Sequence, residues 1–205
     1  MKERLALVVL AVIVIIALVW LYAYKLTPEP NAVSPDNSSA GSRAASIENP
    51  SRITKKTFGL YVTPSNSPVS PEKFTGYHTG VDFETTPDEA NIDIPVPAIC
   101  EGTLLLKKYA TGYGGVAVQS CMLYGQPVTI IYGHLELASI MPGIGQQLKK
   151  GETIGILGKG YSTETDGERK HLHLGIHKGL VINILGYVQK QPELSGWLDP
   201  MQFLK

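Results

Sequence analysis

The chain of 205 residues is poor in charge, in aromatic residues and in cysteine. It has 18 basic and 18 acidic side chains, and no basic stripe runs along the sequence. Nucleic-acid-binding proteins use such a stripe to neutralise phosphates, so the sequence predicts no nucleic-acid partner. The zinc motif His-Glu-x-x-His, the serine-nucleophile motif Gly-x-Ser-x-Gly and cysteine pairs at zinc-ligand spacing are also absent. These absences argue against a helical metalloprotease, a serine hydrolase and a structural zinc module.

One long stretch has no charge at all. Residues 5–24 are almost entirely Leu, Val, Ile and Ala, and Trp20, Tyr22 and Tyr24 stand at the end of the run. A helix of this length matches the hydrocarbon core of a bilayer, and aromatic rings favour its interface. The sequence therefore predicts a single-pass membrane protein, anchored by a transmembrane helix at residues 1–25, with the rest of the chain extracytoplasmic. The alternative is a cleaved secretory signal, which would also carry the rest of the chain out of the cytoplasm.

The segment that follows the apolar run is rich in Pro, Ser, Asn and Ala and shows no apolar periodicity. Such a composition buries too little surface to offset the entropy of ordering, so residues 26–52 are predicted to be a flexible linker. As a coil it would span on the order of 30 Å, enough to lift a domain off the membrane. Residues 53–205 are then predicted to form one domain.

Within residues 53–205, short apolar runs alternate with turns that contain Gly or Pro, and no stretch predicts a helix of three turns. The runs are rich in Val, Ile, Tyr and Thr, which favours strands. The fold class is therefore predicted to be mostly β, built from antiparallel hairpins, with strands near residues 102–106, 116–123, 128–132, 153–157 and 172–176.

The two cysteines, Cys100 and Cys121, flank a turn-like segment at residues 111–115. In a hairpin centred on that turn they would lie nearly opposite each other, which predicts a cross-strand disulfide. The alternative is a pair of free, buried cysteines.

The chain has only five histidines, and three of them fall within seven residues, His171-Leu-His173-Leu-Gly-Ile-His177. On a strand, alternate side chains share a face, so the three histidines would line one face while the intervening apolar residues enter the core. Two imidazoles two residues apart can bind one metal, or one can bind it while the other acts on a substrate. The alternative is an exposed polar face of an amphipathic strand.

The other two histidines also stand in suggestive contexts. His78 and Asp82 are separated by a segment that contains a glycine, and His134 closes an apolar run in Tyr132-Gly-His134-Leu. Each pattern alone is weak. Together, two histidines and one aspartate would fill three positions of a catalytic zinc site and leave the fourth for water. Two further histidines would remain to carry protons near neutral pH.

The order of these motifs resembles that of the lysostaphin/LytM-type peptidoglycan endopeptidases. The resemblance covers about residues 55–205 and includes framework matches at Phe58-Gly59, Pro97-Ala98, 112–115, 150–155 and 198–200. It implies an antiparallel β-sheet groove of the duplicated-hairpin type, with zinc on its floor. It also implies an enzyme, a membrane-anchored zinc metallo-endopeptidase that hydrolyses stem peptides or cross-bridges of peptidoglycan. A regulatory protein partner is left unidentified.

Carried over residue by residue, the resemblance implies that His78, Asp82 and His173 bind one Zn²⁺ per chain. By the same comparison His134 and His171 are the catalytic histidines, with no assignment of which is the base. Two residues are further candidates for the substrate groove: Tyr132, expected to share a strand face with His134, and His177.

The sequence departs from the family pattern at Gly175, where an acidic residue is common, and in the stretches 88–95 and 163–170. These two stretches border the motifs that shape the groove, so substrate preference cannot be transferred. The departures motivate an alternative function, a non-catalytic wall-binding module that regulates another hydrolase. The zinc content would separate the two.

Overall fold

The computed structural model describes residues 46–204, and its regular structure is almost entirely extended. Within these residues there is no α-helix, and every strand pairing is antiparallel. The strands are β1 (Tyr61–Val62), β2 (Gly76–His78), β3 (Gly80–Glu84), β4 (Pro95–Pro97), β5 (Gly102–Ala110), β6 (Gly114–Leu123), β7 (Gln126–Leu135), β8 (Gln147–Leu148), β9 (Thr153–Ile156), β10 (His171–Lys178), β11 (Tyr187–Val188) and β12 (Trp197–Leu198). Short 3-10 turns lie at Pro50–Arg52, Pro87–Glu89, Leu137–Ser139, Thr163–Thr165, Gln191–Gly196 and Pro200–Gln202. The mostly β, antiparallel fold class is confirmed.

The predicted anchor at residues 1–25 and most of the predicted linker lie outside the described residues. Among residues 46–204, no helix has the length and apolar character needed to cross a membrane. The folded region begins before the predicted boundary at residue 53, because Ile47 is buried in the core.

One sheet of seven strands holds the domain together, in the order β12-β10-β7-β6-β5-β8, with β3 also paired to β10. Strand β10 pairs with β12 and β3 along one edge and with β7 along the other. Residues 171–175 pair with β3, and residues 173–178 pair with β7 on the other side. The histidine-rich strand therefore lies between the strand that carries Asp82 and the strand that carries His134.

The core forms on one face of β10, as the alternation predicts. Leu172, Leu174 and Ile176 are fully buried and pack against apolar side chains of the neighbouring strands, Val81 and Ile130 among them. Burying each aliphatic side chain of this size contributes about 1.5–3 kcal/mol. Because these residues fix which face of β10 enters the core, they also fix the histidines on the opposite face.

The disulfide between Cys100 and Cys121 is present, with the two Cα atoms 6.2 Å apart. Cys121 lies in β6, and Cys100 precedes β5 by two residues, so the bond ties the open end of the β5–β6 hairpin. The prediction from the hairpin geometry is confirmed.

An ion pair joins the start of the described chain to the segment after β3. The Arg52 guanidinium donates to Glu89 at 2.7 and 2.8 Å, and the Thr86 amide donates to the same carboxylate at 2.8 Å. These contacts outweigh burial and lower the pKa of Glu89 to about 2.

Removing the disulfide should destabilise the domain. The bond closes a loop with a sequence separation of 21 residues, for which the chain-entropy estimate is about 3 kcal/mol. We expect the Cys100→Ala, Cys121→Ala variant to lose free energy of unfolding on this scale in urea titrations. A reductant should lower the unfolding midpoint of the wild type and leave that of the variant unchanged. An unchanged wild-type midpoint under full reduction would contradict the prediction.

The Glu89 contacts should make stability depend on acid pH. A carboxylate whose pKa is lowered on folding stabilises the protein above its ordinary pKa of 4.5. That contribution is lost as the pH falls towards 2, because the unfolded chain takes up the proton first. We expect Glu89→Gln to lower stability at pH 7 by about 2 kcal/mol and to reduce the loss of stability between pH 5 and pH 3. Parallel stability curves for the wild type and the variant would exclude this role.

Candidate active site

His78 ends β2, and Asp82 lies in the middle of β3, two residues past Gly80. A side chain at residue 80 has no room. A Cβ there would lie 2.4 Å from the Leu174 carbonyl oxygen and 2.9 Å from His173 Nε2. The absence of a side chain lets β3 approach β10 closely, which brings Asp82 opposite His173 in the register.

Three buried side chains converge at this point. His78 Nε2 lies 3.0 Å from His173 Nδ1, and both face Asp82 Oδ1, at 3.3 and 3.2 Å. Metal–ligand distances of about 2.0–2.2 Å in a tetrahedral zinc site place ligand atoms about 3.3–3.6 Å apart. The observed separations lie within about 0.3 Å of that range, and the three residues form a group that can hold a metal ion. The resemblance assigned zinc binding to the same three residues.

The hydrogen bond of His78 and the pKa of His173 also suit metal ligands. The Thr57 carbonyl accepts a hydrogen bond from His78 Nδ1 at 3.2 Å, so in a neutral ring His78 Nε2 holds the lone pair and faces the group. Burial lowers the pKa of His173 to about 4, which keeps its ring neutral at pH 7. Neutral imidazole is the form that coordinates metals.

Asp82 is held as a carboxylate by its neighbours. Burial opposes its ionisation, but His171 and His78 outweigh burial and hold the pKa of Asp82 well below its usual value. Arg169 Nη2 donates to Asp82 Oδ2 at 2.8 Å, and Arg169 Nε donates to Glu84 Oε2 at 2.9 Å. Arg169 therefore fixes the orientation of the carboxylate, with Oδ1 left to face His78 and His173.

The remaining two histidines lie side by side next to this group. The ring centroids of His134 and His171 are 4.1 Å apart, and both residues are buried. His171 Nδ1 donates to the Arg169 carbonyl at 2.8 Å, and His171 Nε2, the nitrogen that holds the lone pair in a neutral ring, lies 3.3 Å from Asp82 Oδ2. Burial and the neighbouring His171 lower the pKa of His134 well below its ordinary value. The burial of these histidines excludes the exposed polar face considered from the sequence.

Tyr132 does not line the groove. Its side chain is fully buried in the core, where its hydroxyl donates to Gln119 at 2.8 Å and accepts from the Ile99 amide at 3.0 Å. The expected alternation fails because β7 is bulged. The pairing with β6 skips His134, and the φ angle of His134 is +62°. The extra residue turns His134 to the opposite face from Tyr132.

His177 lies away from the other four histidines, near the far end of β10. Its ring makes an edge contact with Trp197, with centroids 4.9 Å apart, and burial lowers its pKa. It does not line the cavity that holds the other groups.

A cavity of about 370 Å³ opens above these groups. Its walls include Asp82, His134, His171, His173 and Arg169, together with Lys56, Phe74, Thr75, Thr111, Gly112, Tyr113, Glu168, Ile184, Leu185, Gly186, Tyr187 and Gln189. The space suits a short segment of extended peptide.

Sequence reasoning missed a polar network in the cavity wall. The buried Lys56 ammonium lies 2.6 Å from Glu72 and donates to the Tyr187 hydroxyl at 2.8 Å. Tyr187 stacks on Phe74, and its ring centroid is 5.3 Å from that of His78. The Tyr187 hydroxyl oxygen accepts the hydrogen bond from Lys56, so the hydroxyl proton remains free to be donated to another acceptor. No such acceptor bonds to it within the described part of the chain.

Comparisons with known proteins show what the fold is similar to. The fold is similar to that of LytU, with a TM-score of 0.51 and 24% identity over 80% of this chain and 90% of that chain. Lower similarity is found to CbpA from L. salivarius REN (TM-score 0.45, 21% identity, 73% of this chain and 83% of that chain). It is also found to Csd3 from Helicobacter pylori (TM-score 0.42, 24% identity, 68% and 33%). Among curated proteins, none matches the sequence.

The model of peptidase family M23 matches residues 76–184. This range is more than half of the chain. It includes all five central residues of the site: His78, Asp82, His134, His171 and His173. The chain therefore belongs to peptidase family M23, which confirms the resemblance to the lysostaphin/LytM family seen in its sequence.

Proposed function

We propose that this chain is a zinc-dependent endopeptidase that hydrolyses peptide bonds of peptidoglycan. The observation that carries the proposal is the convergence of five side chains beside one cavity, which four of them line. His78, Asp82 and His173 offer ligand atoms within 3.3 Å of one another, and His134 and His171 lie beside them. Three ligands leave a fourth metal position open, which distinguishes a catalytic site from a structural one.

Zn²⁺ held by these three residues would polarise the scissile carbonyl and lower the pKa of a water molecule. The chain itself supplies groups that can carry the protons. In its neutral form His171 can accept a proton at Nε2, and Asp82 Oδ2 at 3.3 Å can then stabilise the charged ring. His134, whose ring centroid is 4.1 Å from that of His171, is the second group that can carry a proton. The Tyr187 hydroxyl can donate a hydrogen bond to the oxygen of a substrate carbonyl.

We propose further that the domain acts outside the cytoplasm, tethered to a membrane by residues 1–25. The uncharged run at 5–24 supports the anchor. The disulfide supports the compartment, because such bonds persist in oxidising, extracytoplasmic environments. Peptidoglycan lies in the same compartment, which agrees with the family membership.

The alternative drawn from the sequence, a wall-binding module without activity, has less support from the site. A binding module needs neither an open metal position nor a pair of histidines next to it. In this chain all five residues are in place and close together.

Substitutions should separate metal binding from activity. We expect His78→Ala and His173→Ala to lose both bound zinc and peptide cleavage. His134→Ala should keep about one zinc per chain, because His134 is outside the ligand group, and should reduce kcat by 10²-fold or more. Metal analysis of the purified proteins and cleavage rates measure the two effects. A His134→Ala protein with wild-type kcat would exclude the proposed role of His134.

Digestion of purified peptidoglycan tests the activity itself. The zinc-loaded domain, incubated with peptidoglycan of several chemotypes, should release fragments with new peptide termini, identified by mass spectrometry. The termini should be missing after chelator treatment and return when zinc is added back. A zinc-loaded, folded protein that binds peptidoglycan without releasing fragments would favour the wall-binding alternative.

A further inference from the structure

A second cavity, of about 320 Å³, lies next to the first, and Arg169 lines both. Its walls come from the segment after β3 and from the segment before β10. These segments overlap the two stretches, 88–95 and 163–170, in which the sequence departs from the family. The lining residues are Lys55, Glu84, Thr85, Thr86, Pro87, Ala90, Asn91, Lys159, Gly160, Tyr161, Arg169 and Lys170. We call this cavity the lysine groove.

The lining of the lysine groove is positively charged. Four of its lining residues are cations, Lys55, Lys159, Arg169 and Lys170, and one is a carboxylate, Glu84. That carboxylate is already engaged, by Arg169 Nε at 2.9 Å and by Lys55 at 3.5 Å. Arg169 is engaged by Asp82 as well. The charges of Lys159 and Lys170 are therefore the ones left to attract an anion.

Lys170 is fixed at the groove without being neutralised. Its ammonium donates to the backbone carbonyls of Ile92 at 2.6 Å and Glu89 at 3.2 Å. The Glu89 carboxylate itself is paired with Arg52 at 2.7 Å. The carbonyls hold the ammonium in place and leave part of its donor capacity. The carboxylates of Asp93, Glu89 and Glu164 act on it through space, and none of them forms an ion pair with it within residues 46–204.

Lys159 is more exposed. Its backbone amide donates to Glu164 Oε2 at 2.7 Å, but its ammonium makes no ion pair within residues 46–204. An acceptor entering the groove would therefore meet one fixed and one adaptable ammonium. This arrangement favours a carboxylate, which can accept from both.

We propose that the lysine groove binds a free carboxylate of the peptide substrate, close to the bond that is cleaved. The inference rests on the proposed endopeptidase function and narrows its substrate class. Arg169 touches Asp82 on one side and lines the groove on the other, so the two sites are about one side chain apart. An extended peptide advances about 3.3 Å per residue, so the carboxylate lies within about two residues of the cleaved bond.

The substrate class follows from this chemistry. Stem peptides of peptidoglycan that carry free carboxylates can pair with the two ammonium groups of the groove. Cross-bridges made of glycine alone have no side-chain carboxylate and leave its two ammonium groups without a partner. The chain should therefore prefer carboxylate-bearing stem peptides to glycine bridges.

Matched peptides test the proposal. Two synthetic stem peptides would differ in one group within two residues of the scissile bond, a free carboxylate in one and its amide in the other. Binding to the zinc-loaded His134→Ala protein is measured by calorimetry, and cleavage is measured with the wild type. We expect the carboxylate peptide to bind about tenfold more tightly. Its KM should be about tenfold lower at similar kcat, and the difference should shrink at high salt.

Variants identify the residues responsible. Lys159→Gln, which breaks no side-chain hydrogen bond or ion pair in the described chain, should raise the KM for the carboxylate peptide towards that of the amide peptide. It should leave the amide peptide unaffected. Lys170→Gln should do the same, with thermal unfolding as a check on the loop it holds. Lys149→Gln removes an exposed charge elsewhere and serves as the matched control, with no expected effect.

The outcomes separate this proposal from the proposed function. Equal binding and equal cleavage of the two peptides would overturn the lysine groove and leave the endopeptidase intact. Cleavage of glycine bridges alone would also overturn the lysine groove and leave the endopeptidase intact. If neither the two stem peptides nor a glycine bridge is cleaved, the proposed function fails, but the binding titrations still decide whether the groove recognises the carboxylate.

Discussion

The buried Asp82 carboxylate is the charge around which the site is arranged. An isolated carboxylate in such a place would cost several kcal/mol and would take up a proton instead. Its two oxygens are divided between two sets of partners. Oδ1 faces His78 and His173, and Oδ2 faces Arg169 and His171. One side chain thus contacts two candidate metal ligands, a candidate catalytic histidine and the arginine that lines both cavities.

Two glycines make this arrangement possible, because each lets a neighbouring group approach the backbone closely. Gly80 lets β3 pack against β10, and Gly133 lets the Tyr113 ring lie against β7, where a Cβ would be 2.3 Å from the ring. The apolar face of β10 then holds the histidine face towards the cavity. Local sequence and core packing therefore act together, since the same strand that completes the core also supplies two of the five central side chains.

The sequence predicts the periodic part of this structure well. The alternation in β10 and the hairpin around residues 111–115 are visible from spacing alone, and the metal-site group lies in short motifs. Tyr132 was misplaced because a bulge does not show in a pattern of alternation. Lys56 and Arg169 were missed for another reason. Their partners Tyr187 and Asp82 are 131 and 87 residues away, and no local pattern encodes contacts at that distance.

The bulge at His134 also sets a balance between stability and activity. A histidine with φ +62° lies in a region that glycine and asparagine occupy at lower cost. Holding an ordinary side chain there costs on the order of 1 kcal/mol. A glycine at this position would relax the backbone of β7 and remove the imidazole in one step. Selection for stability would therefore favour glycine at position 134, whereas selection for activity would favour histidine.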